Sequence, residues 1–316
     1  MNYLFLDTSS SRVIISFIKD NKIIFNVNEK NDNNLSSKLM VLIDDSFKKN
    51  NIKPIIGIEL TVEDKKILLY AMNNQGYKNL VKSFCSQDFS IYKKYENYIF
   101  CAVADGHSLS RFKYSHIGSN LACKAALNVI ESYLENKKED LFIQNLKNKK
   151  IQSEIKLKWR NMVYEDFYKK HYKAYKLDYI QYGTTLTFVV LLQKHIVFFN
   201  LGDGKILIKV DGLYKSVFEN NNYKIVNSLA QDRCEEKMQY KILERYNKFK
   251  LVIFTDGFIN SFNNYEEFEI ELDKTFEILN KNVFASMNLK KTYSKYLENL
   301  SRYGSFDDIS VIFVYD

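Results

Sequence analysis

The sequence is poor in the residues that organise several common classes of protein. Its 316 residues include one proline, ten glycines, four histidines and four cysteines. The cysteines form no CxxC pair and no framework spacing, which argues against a disulfide-stapled fold and favours a reduced, cytoplasmic protein. No apolar run approaches the length that spans a membrane, and the N-terminus lacks the basic and apolar segments of a secretion signal.

The composition is that of a folded protein with a large core. Hydrophobic residues make up 46% of the chain, enough for one large domain or two smaller ones. The formal net charge is +8, but the lysines alternate with acids and asparagines and form no single block. This pattern indicates a mildly basic, solvated surface, so we expect neither nucleic acid nor a membrane as a partner.

Residues 1–56 are predicted to form a small βββα appendage. Three apolar runs are separated by polar turns, and LSSKLMVLIDDSFKKN then carries apolar residues at helical spacing. The FLDTSS start and the helix SSKLMVLIDDSFKKNNI resemble the first segment of the bacterial actin-like-fold protein that assists threonylcarbamoyl modification of tRNA. That resemblance ends near residue 56, so no nucleotide cleft is expected and the segment is interpreted as structural. Pro54 and GIELTVED mark the boundary with a second domain, residues 57–316.

The most informative stretch of the second domain is YIFCAVADGH, residues 98–107. It reads as a buried strand that ends in Asp105-Gly106-His107. A carboxylate and an imidazole at the mouth of a buried strand could hold a hard metal ion and a proton donor, although Asp-Gly is also the commonest turn dipeptide. Asp-Gly occurs four times, at 105–106, 203–204, 211–212 and 256–257, and a hairpin turn fully explains the pair at 211–212.

The order of apolar patterns predicts an α+β fold. Helical spacing occurs in residues 113–136, about 151–176, about 266–280 and 283–300. The run GTTLTFVVLLQKHIVFFNLGDGKILIKV predicts three strands at the spacing of a meander, and a final strand ends the chain. Two helices follow the first strands and two more precede the last strand, an order typical of sheets covered by helices on both sides.

Three acidic positions share one context. Asp105 and Asp256 each end an apolar strand, and Asp307-Asp308 opens one. Carboxylates at strand ends suit oxygen-ligated Mg²⁺ or Mn²⁺, and a neighbouring glycine lets a backbone carbonyl approach. A turn or capping role explains any one of these residues, but their conjunction in this order indicates a metal site.

From about residue 65 to its end, the chain resembles the protein phosphatase 2C (PPM) family of metal-dependent serine/threonine phosphatases, particularly the bacterial branch. The matching blocks are CSQDF, VADGHSLSRFKYSHIGSNLA, YGTTLTFVVL, NLGDGKILI, VIFTDGFINSF and DDISVIFV. The resemblance implies a four-layer α-β-β-α sandwich of two mainly antiparallel sheets. It also implies hydrolysis of phosphomonoesters on phosphorylated proteins by water that two Mg²⁺ or Mn²⁺ ions activate. Such hydrolysis requires no protein nucleophile.

The same resemblance implies a set of metal ligands. Asp105 would bridge two ions, and Gly106 would offer its carbonyl oxygen to one of them. Asp256 and Asp307 would bind the other ion. Asp203 stands where some members of the family hold a third, looser ion, although a simple turn explains this residue equally well.

Further roles follow for residues around the ligands. Asp88 would hold metal-bound water, and Gln87 stands where many relatives have a glutamate. His107 would be the general acid for the leaving alkoxide, with a hydrogen-bonded structural histidine as the alternative. Asp308 replaces the family's frequent asparagine and is expected to orient the loop.

One departure from the family concerns the binding of the substrate phosphate. Many members have an arginine four residues before the first acidic pair, and here that position is Ser83. Lys82 beside it, or Lys78, could supply a point charge, but less firmly than a bidentate guanidinium. The departure leaves a second function open, a catalytically weak, phosphatase-like regulatory or binding module whose N-terminal appendage docks a partner.

Overall fold

The computed structural model divides the chain into two compact units, Met1–Ile58 and Glu59–Asp316. It describes the backbone of residues 2–7, 12–19, 22–30, 60–62, 65–135, 139–171, 176–219, 226–246, 248–281 and 283–316. Among these residues, side chains are described for Val27 and from Ile67 onward, except at 281, 283–288, 290 and 291. Within these ranges, every helix is too short or too polar to cross a membrane.

The first unit contains a three-stranded antiparallel sheet. Its strands β1 (Asn2–Asp7), β2 (Arg12–Lys19) and β3 (Lys22–Lys30) pair in the order β1-β2-β3. The strands occur where the apolar runs predict them. The helix that we expect between residues 35 and 47 lies outside the described residues.

The second unit is built on two antiparallel sheets. One has six strands in the order β11-β10-β13-β14-β5-β4, and the other has five in the order β12-β9-β8-β7-β6. The strands are β4 (Leu60–Val62), β5 (Lys65–Asn74), β6 (Phe89–Lys94), β7 (Ile99–Ala104), β8 (Leu186–Leu191), β9 (His195–Leu201), β10 (Lys205–Val210), β11 (Leu213–Ser216), β12 (Gln239–Glu244), β13 (Lys250–Phe254) and β14 (Ile309–Tyr315).

Helices cover the outer faces of both sheets. Helices α2, α3 and α4 share a buried cluster with the five-stranded sheet, and α7 and α8 share one with the six-stranded sheet. The described helices are α1 (Tyr77–Val81), α2 (Ser115–Leu134), α3 (Glu139–Lys147), α4 (Lys150–Lys170), a 3₁₀ turn (Tyr179–Tyr182), α5 (Cys234–Lys237), α6 (Asp256–Ile259), α7 (Tyr265–Lys281) and α8 (Val283–Tyr303).

The alternation of side chains along the central strands explains the four layers. In β7, Ile99, Cys101 and Val103 join the cluster between the sheets, while the residues between them face the helices. In β14, Ile312 and Val314 likewise point between the sheets. Because both faces of these strands are buried, their sequences read as continuous apolar runs. The predicted α-β-β-α sandwich is confirmed.

Several local expectations were wrong. The three-strand meander is broken, because β8 and β9 pair in one sheet whereas β10 pairs with β13 in the other. The long helix expected at 151–176 spans Lys150–Lys170, and the sequence pattern did not reveal α1 or α3. The Asp211-Gly212 turn does join β10 to β11, with positive φ at both residues, as a two-residue hairpin of this type requires.

Candidate active site

The antiparallel pairing of four strands gathers the predicted acids at one end of the sandwich. Phe89 pairs with Ala104, so Asp88 at the start of β6 lies near Asp105 at the end of β7. In the other sheet, the end of β13 pairs with the start of β14, which brings the Asp256 region beside the Asp307-Asp308 loop. The charges of Asp88, Asp256, Asp203 and Asp307 all act on Asp105, so these acids lie within electrostatic reach of it.

The surroundings of Asp105 and Asp256 favour their protonated forms when no cation is bound. Burial raises the pKa of Asp105 well above its usual range, and the neighbouring carboxylates raise it further. Burial also raises the pKa of Asp256 to about 6, with further contributions from Asp203 and Asp307. Lys78 and a hydrogen bond with Asp105 oppose that shift. A cation bound here would therefore relieve repulsion among these acids.

Close contacts fix the backbone around the acids. A Cβ atom on Gly106 would come within 2.7 Å of Ser115 O and 2.8 Å of Gln87 O. A Cβ atom on Gly257 would come within 2.1 Å of the Asp308 carbonyl oxygen. Side chains at these two positions would push the acidic segments apart, so glycine is required by close approach.

Asp88 connects the two sheets. Thr255 Oγ1 donates to Asp88 Oδ2 across 2.6 Å and accepts from Ser310 N at 3.0 Å. Burial raises the pKa of Asp88, as does the charge of Asp308, whereas the Thr255 hydrogen bond lowers it. Asp88 is thus a buried carboxylate with a defined orientation at the edge of the acid cluster.

Asp308 holds three chain segments together and does not face solvent. Its Oδ1 accepts from Gly76 N at 2.5 Å, and its Oδ2 accepts from Gln87 N at 2.6 Å and from Asn79 Nδ2 at 2.8 Å. Burial raises the pKa of Asp308, and these donors counteract the effect. Asp308 thus joins its own loop to the segments of Gly76 and Gln87, and its loop-orienting role stays a prediction.

Asp203 lies in the turn between β9 and β10, where the chain passes from one sheet to the other. Burial raises its pKa, and Lys205 opposes the shift. Its Oδ1 atom is buried and finds no hydrogen-bond partner among the described residues. An orphaned carboxylate oxygen is suited to a cation. It also borders a cavity of about 710 Å³ that reaches Gln239 of β12.

Asp307 is paired with a lysine in this structure. Lys78 Nζ lies 2.5 Å from Asp307 Oδ1, and the two side chains are 29% and 32% exposed. Nowhere in the described ranges do three acidic, histidine or cysteine side chains surround one point closely enough to hold an ion. The acids are therefore neighbours, but Asp307 turns to Lys78 and does not complete a ligand set.

Gln87 and His107 lie on the side of the site formed by α2. Gln87 Nε2 donates to His107 O at 3.0 Å and to Ser115 Oγ at 2.8 Å, so its amide supports the loop. The His107 ring packs on Phe112, with centroids 4.8 Å apart. Burial lowers the pKa of His107 to about 4, and Arg111 adds to the effect. The imidazole is therefore neutral at pH 7 in the absence of substrate.

The two lysines considered for phosphate binding differ in their surroundings. Ser83 and Lys82 are both exposed, and Ser83 has φ 56°. Lys78, the other lysine considered from the sequence, reaches the acids directly. Sequence reasoning missed Thr255, Asn79 and Ser301, which orient the acidic loops through hydrogen bonds. The TDG and DDIS patterns include or adjoin some of these positions, but only the fold reveals their partners.

Comparison with known proteins identifies the family of the chain. A family model described as Protein phosphatase 2C matches residues 75–294, more than half of the chain. The chain belongs to the protein phosphatase 2C family. That family consists of metal-dependent serine/threonine phosphatases, as the motif resemblance implied. No match to the sequence was found among curated proteins.

Solved structures share the fold at low sequence identity. The catalytic domain of the serine/threonine phosphatase PstP, solved with two manganese ions, is 14% identical with a TM-score of 0.52, covering 79% of this chain and 97% of that one. PppA, a regulatory component of the type VI secretion system in Pseudomonas aeruginosa, is 12% identical with a TM-score of 0.53 and the same coverages. The serine/threonine phosphatase of S. agalactiae is 18% identical with a TM-score of 0.52, covering 79% and 99%. At such identities the likeness shows the fold alone.

Proposed function

We propose that this chain is an active phosphoprotein phosphatase, which hydrolyses phosphoserine and phosphothreonine with Mg²⁺ or Mn²⁺. The observation that carries the proposal is the convergence on Asp105 of the charges of four further aspartates, which come from both sheets. Clustered carboxylates that repel one another are unfavourable unless a cation joins them. The orphaned oxygen of Asp203 supports the same interpretation.

The donor set fits hard divalent cations. Asp105, the carbonyl of Gly106, Asp256 and Asp307 would hold two ions, and Asp203 would hold a third. Carboxylate and carbonyl oxygens are the ligands that Mg²⁺ and Mn²⁺ prefer. When bound, such ions lower the pKa of water and neutralise charge on the phosphoryl group.

The remaining residues of the site would position groups and move protons. Asp88, held by Thr255, would orient a water molecule at the edge of the acid cluster. His107 would donate a proton to the leaving alkoxide of serine or threonine. Since the pKa of its ring is lowered to about 4, His107 becomes an effective acid only when the negative phosphoryl group approaches it. The Gln87 side-chain amide donates to the backbone carbonyl oxygen of His107 and so fixes the backbone of that residue.

A second candidate function is a phosphatase-like binding module of low activity. The specific observation in its favour is the Lys78–Asp307 ion pair, because a lysine on a metal-ligand candidate competes with the cation. The absence of an arginine at Ser83 favours it too.

Hydrolysis of p-nitrophenyl phosphate by the purified full chain separates the two functions. We expect no turnover with EDTA, turnover on addition of Mn²⁺ or Mg²⁺, and none for Asp256→Asn under either condition. Retained folding of Asp256→Asn, checked by circular dichroism, makes its inactivity informative. A wild-type protein that binds Mn²⁺ but hydrolyses neither p-nitrophenyl phosphate nor a phosphothreonine peptide would favour the binding module.

A further inference from the structure

Lys78 is a cation built into the acid cluster. It projects from α1, and its Nζ atom lies 2.5 Å from Asp307 Oδ1. Its charge also acts on Asp105, Asp256 and Asp308. Lys82, four residues further along, is exposed. Of these two lysines, Lys78 is the one that contacts an acid of the site.

Three consecutive backbone N–H groups hold the start of α1 against the segment that carries Asp307. Gly76 N donates to Asp308 Oδ1 at 2.5 Å, Tyr77 N to Ser301 Oγ at 3.0 Å, and Lys78 N to Phe306 O at 2.9 Å. The ring of Tyr77 packs near that of Phe306, with centroids 6.3 Å apart. The backbone of Lys78 is consequently fixed relative to Asp307, so only the Lys78 side chain would move in a change of partner.

A phosphoryl group at the acids needs a positively charged protein group as well as metal ions, because its oxygens carry negative charge outside the metals' reach. Ser83 cannot supply that charge, and its side chain is exposed. We propose that Lys78 is the residue that binds the substrate phosphate, exchanging its Asp307 partner for a phosphate oxygen once Asp307 engages a metal ion. This inference rests on the proposed phosphatase function and assigns its phosphate-positioning residue.

The exchange predicts that loss of Lys78 affects the binding of phosphate and the binding of Mn²⁺ differently. Removing the Lys78 ammonium removes a partner of phosphate, so phosphate binding weakens. The same change frees Asp307 from a competing cation, so Mn²⁺ binding becomes tighter or stays unchanged. If Lys78 merely held α1 in place, its removal would weaken the binding of both phosphate and Mn²⁺, because the loop that carries Asp307 would lose its support.

Calorimetry on the full chain tests both effects with Mn²⁺ alone and with inorganic phosphate added to the Mn²⁺-loaded protein. Lys78→Ala should weaken phosphate binding about ten- to a hundred-fold, the range of one charge-assisted hydrogen bond. Lys78→Arg should restore most of it. Lys82→Ala tests the competing lysine, and Lys124→Ala, an exposed position on α2, is the matched surface control. The phosphate affinity of both variants should lie within about twofold of the wild type, a change much smaller than the one expected from loss of a charged partner.

Each outcome bears on the inference directly. Unchanged phosphate binding by Lys78→Ala, a loss at Lys82→Ala in its place, or weaker Mn²⁺ and phosphate binding together would overturn it. If the wild type hydrolyses p-nitrophenyl phosphate and Lys78→Ala shows an unaltered KM, the inference fails while the proposed function stands. If the wild type binds phosphate through Lys78 without hydrolysing any phosphoester, the proposed function fails while the assignment of Lys78 stands.

Discussion

Thr255 Oγ1 donates a hydrogen bond to Asp88 Oδ2, 2.6 Å away, across 167 residues of sequence. Thr255 follows β13 of the six-stranded sheet, whereas Asp88 precedes β6 of the five-stranded sheet. The same hydroxyl accepts from Ser310 N, so it links Asp88 to the start of β14. One buried hydroxyl thus ties the two sheets together at the end where the acids converge.

Replacement of Thr255 should therefore destabilise the fold. Thr255→Val keeps the shape but leaves the Asp88 carboxylate without this donor and Ser310 N without its acceptor. We expect a loss of about 1–3 kcal/mol in the free energy of unfolding, measured by urea denaturation of the metal-free protein. Thr255→Ser should retain most of the stability, and a valine variant as stable as the wild type would contradict this role.

Removal of a charge from the acid cluster should have the opposite effect. Burial raises the pKa of Asp256 from 3.8 to about 6, so the folded state binds its proton more tightly than the unfolded state does. The contribution of Asp256 to stability therefore falls as pH rises from about 4 to about 6, and the penalty is complete above pH 6.

Asp256→Asn should thus stabilise the metal-free protein relative to the wild type, by at most about 3 kcal/mol above pH 6 and by little near pH 4. Thermal or urea unfolding at several pH values in EDTA measures the difference. Added Mn²⁺ should raise the melting temperature of the wild type and leave that of Asp256→Asn almost unchanged. Equal stabilisation of both proteins by Mn²⁺ would remove Asp256 from the ligand set.

The sequence could reveal the acids because each one stands at the end or just before the start of an apolar strand. Asp105, Asp256 and Asp307 are recognisable for that reason, and antiparallel pairing then brings them together. The sheet to which β10 belongs could not be predicted in the same way. Its apolar residues are buried on both faces, so the pattern does not tell which sheet the strand enters. The break occurs at Gly202, whose φ of 114° lets the chain leave β9 for the other sheet.

The partners of the acids were beyond sequence reasoning for a different reason. Gly76 and Asp308 are 232 residues apart, and Tyr77 and Ser301 are 224 apart. Nothing in the local pattern of α1 predicts that its first N–H groups bind the last loop of the chain. The choice between Lys78 and Lys82 follows from that docking, so the sequence could name both lysines without distinguishing them.

His107 is expected to matter most for poor leaving groups. If it is the general acid, His107→Ala should slow hydrolysis of a phosphothreonine peptide far more than that of p-nitrophenyl phosphate, whose leaving group scarcely needs a proton. Steady-state rates on both substrates with Mn²⁺ give the comparison. His116→Ala, a half-buried histidine on α2, is the control for general loss of packing. Equal slowing of both substrates would assign His107 the structural role of packing on Phe112.

The boundary between the two compact units predicts what a truncated protein retains. Strand β4 pairs with β5 through Leu60↔Ile67 and Val62↔Lys65, so it belongs to the second unit. A protein that begins at Glu59 keeps this edge strand and every acid of the site, and should keep metal-dependent stabilisation and turnover. A protein that begins at Lys65 loses β4, exposes the edge of β5, and should be less stable and more prone to aggregate. Light scattering and Mn²⁺-dependent melting compare the two. A Glu59 truncation that stays folded yet no longer binds Mn²⁺ would show that the first unit is part of the site.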